Sequence, residues 1–119
     1  MKVFIANDSA MICERITEML LEIPEIEVVG QAFTAPQVIN SIKELKPDAV
    51  ILDIRIPKGS GIDILRKIKK DHPETIILIF TNYPRSQYLK KCMELGADYF
   101  LSKSTEFDRL EQILRSLIK

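Results

Sequence analysis

Four polar side chains stand where apolar runs stop. Asp8 follows KVFIA and Asn7, Asp53 ends AVILD, Thr81 ends TIILIFT, and Lys103 follows DYFLS. Brought together, they suit one chemistry. Two carboxylates with waters and a backbone carbonyl are what Mg²⁺ (or Mn²⁺) accepts. Alone, Asp8 and Asp53 repel and raise one pKa; a divalent ion or Lys103 offsets this. Asp53 can then attack a phosphoryl group in line and become an aspartyl phosphate. Mg²⁺ and Lys103 stabilise the charge, and Thr81 donates a hydrogen bond to the phosphoryl oxygens. In the loop PKGSG after Asp53, the glycines are expected to let backbone amides approach the anion. Each residue by itself has a plainer reading: an Asp at a strand end is commonly a turn residue or cap, and Asp8 alone could cap the helix that follows.

The elements that must position these residues are legible in the same runs. Five apolar, β-branched runs, residues 2–6, 26–33, 48–53, 75–81 and 98–102, alternate with five helical patterns, roughly 10–22, 35–46, 61–71, 85–95 and 106–118. Thr34 and Gln37 form a capping-box pattern with Pro36 in the first turn. Ser60 and Thr105 are expected N-caps, and Gly96 is expected to close the fourth helix. Strict alternation implies βαβ units, hence an α/β, doubly wound parallel sheet with helices on both faces. KVFIA, AVIL and TIILIF are apolar on both faces and belong inside; IEVVGQAF and DYFLS are more mixed and suit the edges. That is the strand order 2-1-3-4-5. In this order ligands bind where the chain reverses, beyond the carboxyl ends of the strands. Asn7, Asp8, Asp53, Thr81 and Lys103 all fall there.

Composition narrows the function classes. The 119 residues, expected to form one domain over 1–119, carry seventeen basic and seventeen acidic side chains. The balance argues against a non-specific nucleic-acid binder, which needs a basic surface. No apolar run approaches the ~20 residues that span a bilayer, and the N-terminal run is too short for a secretory signal, so a cytoplasmic protein is expected. Cys13 and Cys92 lie in helical patterns away from the single His72; they read as reduced packing residues rather than a disulfide or zinc site. His72, in KKDHPET, reads as a surface residue.

Taken in order, FIANDS, VILDIRIPKGSGIDIL, IFTNY and GADYFLSKS resemble the receiver domains of two-component response regulators, over essentially the whole chain. GADYFLSKS and the neighbouring STEF look most like receivers carrying a LuxR/NarL-type helix-turn-helix output. The resemblance implies a CheY-like fold and a phosphorylation-dependent signalling switch rather than an enzyme. It makes Asp53 the phosphoacceptor, Asp8 a direct Mg²⁺ ligand, the backbone carbonyl of Arg55 a further ligand, and Lys103 the partner of the phosphoryl group. It also implies a switch pair, with Thr81 moving toward the phosphate and Tyr99 turning into the space left. The surface read by an output domain or downstream protein would be the fourth helix, fifth strand and fifth helix. The donor would be a sensor histidine kinase or a small phosphodonor.

Departures from the family pattern are equally visible. The family has two acids after its first strand; here the first is Asn7, which is expected to orient a metal-bound water while contributing no charge. Ser104, not proline, follows Lys103, which disfavours a cis bond there. Asn82 stands where a small residue is usual. Arg55 and Tyr83, two residues beyond Asp53 and Thr81, border the path of hydrolytic water and are expected to prolong the phosphorylated state. Asp108, Arg109, Glu111 and Arg115 of the last helix offer charges for a weak homodimer. Two other readings share the fold: an interaction module that works without phosphorylation, motivated by Asn7, and a flavin carrier or enzyme, for which NDSAMI lacks a phosphate-cradling loop. Direct DNA or membrane binding by these residues is not expected; the chain is either a stand-alone receiver or part of a longer DNA-binding regulator.

Overall fold

A computed structural model describes residues 1–118. It contains β1 (Lys2–Ala6), α1 (Ala10–Leu21), β2 (Glu27–Ala32), α2 (Ala35–Leu45), β3 (Ala49–Leu52), α3 (Gly61–Asp71), β4 (Ile76–Thr81), α4 (Arg85–Glu94), β5 (Tyr99–Ser102) and α5 (Phe107–Leu117). The strands form one sheet, all paired in parallel, in the order β2-β1-β3-β4-β5. The expected order therefore holds.

Alternation along the inner strands builds two cores. Phe4, Val50, Leu52, Ile77 and Ile79 face α2, α3 and α4, with Phe100 of β5 on the same side. Val3, Ile5, Ala49, Ile51, Leu78 and Phe80 face α1 and α5, with Leu101 and half-buried Tyr99. Successive strand residues point to opposite faces, so both faces of the inner strands must be apolar. Burying each such side chain contributes about 1.5–3 kcal/mol relative to leaving it exposed.

Capping follows the sequence in part. Ser60 accepts from the Asp63 N–H at 3.1 Å and starts α3. Ser9, rather than Asp8, caps α1 by accepting from the Ile12 N–H. Gly96 turns the chain out of α4 at φ +103°. Two expectations fail. Thr34 is the N-cap of α2 but its side chain accepts no cap hydrogen bond; Gln37 instead accepts from the Phe33 N–H, and the Ala35 N–H donates to the Pro57 carbonyl. Thr105 does not cap α5. The chain reaches the helix one residue later, at Glu106, whose carboxylate is turned back to accept from the Ser102 N–H at 3.0 Å. Cys13 and Cys92 are buried free thiols. His72 is half-buried at the end of α3, its N–H donating to the Ile68 carbonyl. No described helix is long and apolar enough to cross a membrane.

Candidate phosphorylation site

Backbone pairing that runs past the strand ends fixes the site. The Asp53 N–H donates to Ala6 at 3.0 Å, the Lys103 N–H to Thr81 at 3.0 Å, and the Asn7 N–H to Ala32 at 3.2 Å. The residues just beyond β1, β3 and β5 are thus held in sheet register with the end of β4. Together Asp8, Asp53, Thr81 and Lys103 line a cleft of about 250 Å³, open above Asp53.

Lys103 is the hub. Its ammonium donates to Asp53 and to Asn7 Oδ1 (3.0 Å), and lies 3.5 Å from Asp8 Oδ1. Asp53 is buried, and burial pushes its carboxyl above the ordinary carboxylate range. Opposing this are the Lys103 ammonium, the Thr81 hydroxyl and the Arg55 N–H, which donates to Asp53 Oδ1 at 3.3 Å. The Thr81 hydroxyl oxygen also accepts from the Tyr83 N–H at 3.2 Å, which orients it.

The donor set fits a hard divalent cation: two carboxylates, Asp8 and Asp53, with the Arg55 backbone at the cleft rim and room for waters. Among the described residues, no group of three or more His, Cys, Asp or Glu side chains converges here or elsewhere. Asn7 departs from expectation. Its Oδ1 already accepts from the Ser9 N–H at 3.0 Å and from Lys103, which uses both lone pairs, while its buried Nδ2 has no partner. With Lys103 seated, Asn7 has no acceptor left for a metal-bound water.

Two further expectations are corrected by geometry. Tyr99 does not share a face with Thr81. Thr81 pairs with Ser102 and Ile79 with Phe100, so alternation puts Phe100 on the Thr81 side and Tyr99 against the α1/α5 core. Phe100 lies two residues before Ser102, so the observed register places it on the Thr81 side. The glycines after Asp53 are required by packing, and the Gly61 N–H is already engaged. Gly61 packs so closely on the Asp53 carbonyl that a Cβ would collide with it, and its N–H donates to Ile54 at 2.6 Å; a Cβ on Gly59 would lie 2.6 Å from the Ala35 Cβ. Gly61 folds the loop back onto the backbone of Asp53 and Ile54, and Gly59 lets it pass close to the start of α2.

Around the cleft, exposed Arg55 and Asn82 and half-buried Tyr83 form the rim. The Lys103–Ser104 peptide is trans. Sequence reasoning missed Arg85, whose guanidinium lies 3.6 Å from Glu106 and 3.5 Å from the Phe100 carbonyl, tying α4 to β5 and α5. On α5, Arg109 pairs with Glu106 (3.7 Å) and Arg115 with Glu111 (2.9 Å), so these charges are satisfied within the chain.

The sequence profile of the response regulator receiver domain matches residues 3–115. The chain belongs to that family. A receiver of a LuxR-family two-component response regulator from Aurantimonas sp. SI85-9A1 superposes with a TM-score of 0.89 at 27% identity, covering 98% of this chain and 83% of that one. RcsB from Salmonella enterica serovar Typhimurium, solved bound to the promoter rprA with the phosphomimetic BeF₃⁻, gives 0.90 at 26% identity over 100% and 99% of the two chains. An uncharacterized transcriptional regulatory protein of Bacillus subtilis (strain 168), YvfU, is 29% identical over 99% of this chain and 59% of its own length. The present receiver thus spans a little over half the length of that curated relative.

Proposed function

We propose that the receiver is a phosphorylation-dependent switch of a two-component system in which Asp53 is the phosphoacceptor. The observation that carries this reading is the burial of Asp53 at the carboxyl end of β3, paired with Lys103 and with Asp8 alongside. An Asp53 carboxylate oxygen attacks phosphorus. A new O–P bond forms as the bond to the donor breaks, and the donor's histidine nitrogen or acetate oxygen leaves with the electron pair. Lys103 then balances the phosphoryl charge, and Thr81 supplies a hydroxyl hydrogen bond. Mg²⁺ or Mn²⁺, when bound, supplies charge neutralisation, with Asp8, Asp53 and the Arg55 carbonyl as its protein ligands. Because Asn7 is neutral and its oxygen is engaged, Asn7→Asp is expected to tighten Mg²⁺ binding by about tenfold in a calorimetric titration.

Thr81 would move toward the phosphoryl group, and we assign Phe100, not Tyr99, to fill the space it leaves. Arg85 would carry that repacking into α4 and α5. In this reading the receiver acts in the cytoplasm, the donor is a sensor histidine kinase or a small phosphodonor, and the reader is an output domain or downstream protein. A weak phosphorylation-linked homodimer belongs to the same reading, although the internal α5 ion pairs leave it few free charges there. Amide NMR with beryllofluoride, a phosphoryl mimic, tests the switch. Shifts at Thr81, α4 and β5 that vanish in Asp53→Ala are expected; a spectrum unchanged beyond the cleft would refute it. A second reading, an interaction module independent of phosphorylation, is favoured only by the engaged state of Asn7. It predicts equal partner binding with and without beryllofluoride.

A further inference from the structure

The cleft over Asp53 does not end at its rim. Asp8, Arg55 and Tyr83, which line it, also line a wider groove of about 610 Å³. The other walls of that groove are mostly apolar. Ile54, Ile56, Pro57 and Ile62 come from the loop after β3 and the start of α3, and Tyr88 comes from α4. Tyr83 and Tyr88 stack on each other, with ring centroids 5.3 Å apart and planes tilted by 31°. Both rings are half-buried, so each keeps part of its surface uncovered. The polar groups here are largely engaged. The Ser60 hydroxyl caps α3, and the Asp8 carboxylate lies 3.5 Å from the Lys103 ammonium. Arg55 is exposed, and among the described residues no carboxylate oxygen lies within 4.0 Å of its guanidinium.

We propose that this groove seats the acyl group of a small phosphodonor, an acyl phosphate whose apolar acyl group is larger than acetyl, with aromatic acyl groups foremost. The proposal rests on Asp53 as the phosphoacceptor. In-line transfer points the leaving group away from Asp53 and out of the cleft. Arg55 and Tyr83 flank that exit, because they line both cavities. An Asp53 carboxylate oxygen forms the new O–P bond. The P–O bond to the acyl group breaks, its electron pair stays on the departing oxygen, and a free carboxylate leaves with no proton transferred. Arg55 is the cation at the exit, and its guanidinium is free to meet that carboxylate. A methyl group fills little of the groove, whereas an aromatic ring can cover Ile56 and Ile62 and stack on Tyr88. A phosphohistidine donor releases a neutral imidazole, for which a cation at the exit offers no charge complement.

The test measures the rate of phosphate uptake by intact mass, with Mg²⁺, from acetyl phosphate, benzoyl phosphate and phosphoimidazole. The native chain should favour benzoyl over acetyl phosphate about tenfold, and Tyr88→Ala or Ile62→Ala should cut that ratio to about threefold or less. Arg55→Gln should lower uptake from benzoyl phosphate relative to phosphoimidazole about threefold. Each ratio is taken on one protein, so a partly unfolded variant does not disturb it. Three results would overturn the groove assignment while leaving Asp53 as the phosphoacceptor: labelling without preference for benzoyl phosphate, a preference unmoved by both Tyr88→Ala and Ile62→Ala, or a phosphoimidazole ratio unmoved by Arg55→Gln. No labelling from any of the three donors would overturn it as well, and a histidine kinase as donor then shows whether Asp53 is still the phosphoacceptor.

Discussion

At the scale of single residues, Asp53 has two opposed requirements. Burial favours its neutral form, whereas attack on phosphorus needs the carboxylate. A raised folded pKa means that its contribution to stability is complete below about pH 3.8, the unfolded value, and is lost as pH rises through the folded value. Asp53→Asn should therefore flatten that part of the stability–pH curve, measured by urea unfolding at several pH values. In the native protein, the rate of phosphate uptake should rise with pH across the same window. Gly61 is the second sensitive position. Gly61→Ala forces the start of α3 away from the Asp53 carbonyl, at a cost of about 1–3 kcal/mol, and should impair phosphate uptake as well as stability. A Gly61→Ala variant of unchanged melting temperature would show that the loop can yield. These residues differ in legibility. Asp8, Asp53, Thr81 and Lys103 could be placed because each ends an apolar run. The need for glycine at 61 could not, because it depends on a contact across the loop.

At the scale of elements, register decides which aromatic of β5 faces Thr81. Strand existence and order follow from apolar runs, and all five strands lie where those runs predict. Which face a residue of β5 presents depends on its register against β4, and a one-residue error exchanges the faces. Tyr99 and Phe100 are adjacent aromatics, so composition does not separate them; the pairing of Thr81 with Ser102 does. Phe100→Ala should leave phosphate uptake intact but abolish the propagated NMR shifts in α4, whereas Tyr99→Ala should preserve them. The end of α2 gives a separate prediction. Lys46 sits at φ 47°, ψ 59° as the left-handed C-cap, a conformation costly for a side chain with a Cβ. Lys46→Gly should stabilise by about 0.5–1 kcal/mol and raise the melting temperature by a few degrees. The Thr105 cap was misplaced for a related reason. A hydroxyl before an apolar helix is a local signal, but the bond from Ser102 to Glu106 is a contact back to β5.

At the scale of the whole molecule, two cores share one sheet, so a thiol in either reports on global unfolding. Burial raises Cys92 to about 11 and also raises Cys13, where Lys103 opposes the effect and Asp8 adds to it. Both thiols should resist a disulfide reagent in the native state and react in step with unfolding; rapid native labelling of either would indicate local opening instead.

Asp53 is expected to accept a phosphoryl group despite Asn7. The most direct test is the intact mass of the protein after incubation with acetyl phosphate, with and without Mg²⁺, beside Asp53→Ala. An adduct of about 80 Da that requires both Asp53 and the metal is the predicted result. An adduct that survives in Asp53→Ala, or none in the native protein even when a purified histidine kinase is the donor, would contradict the account.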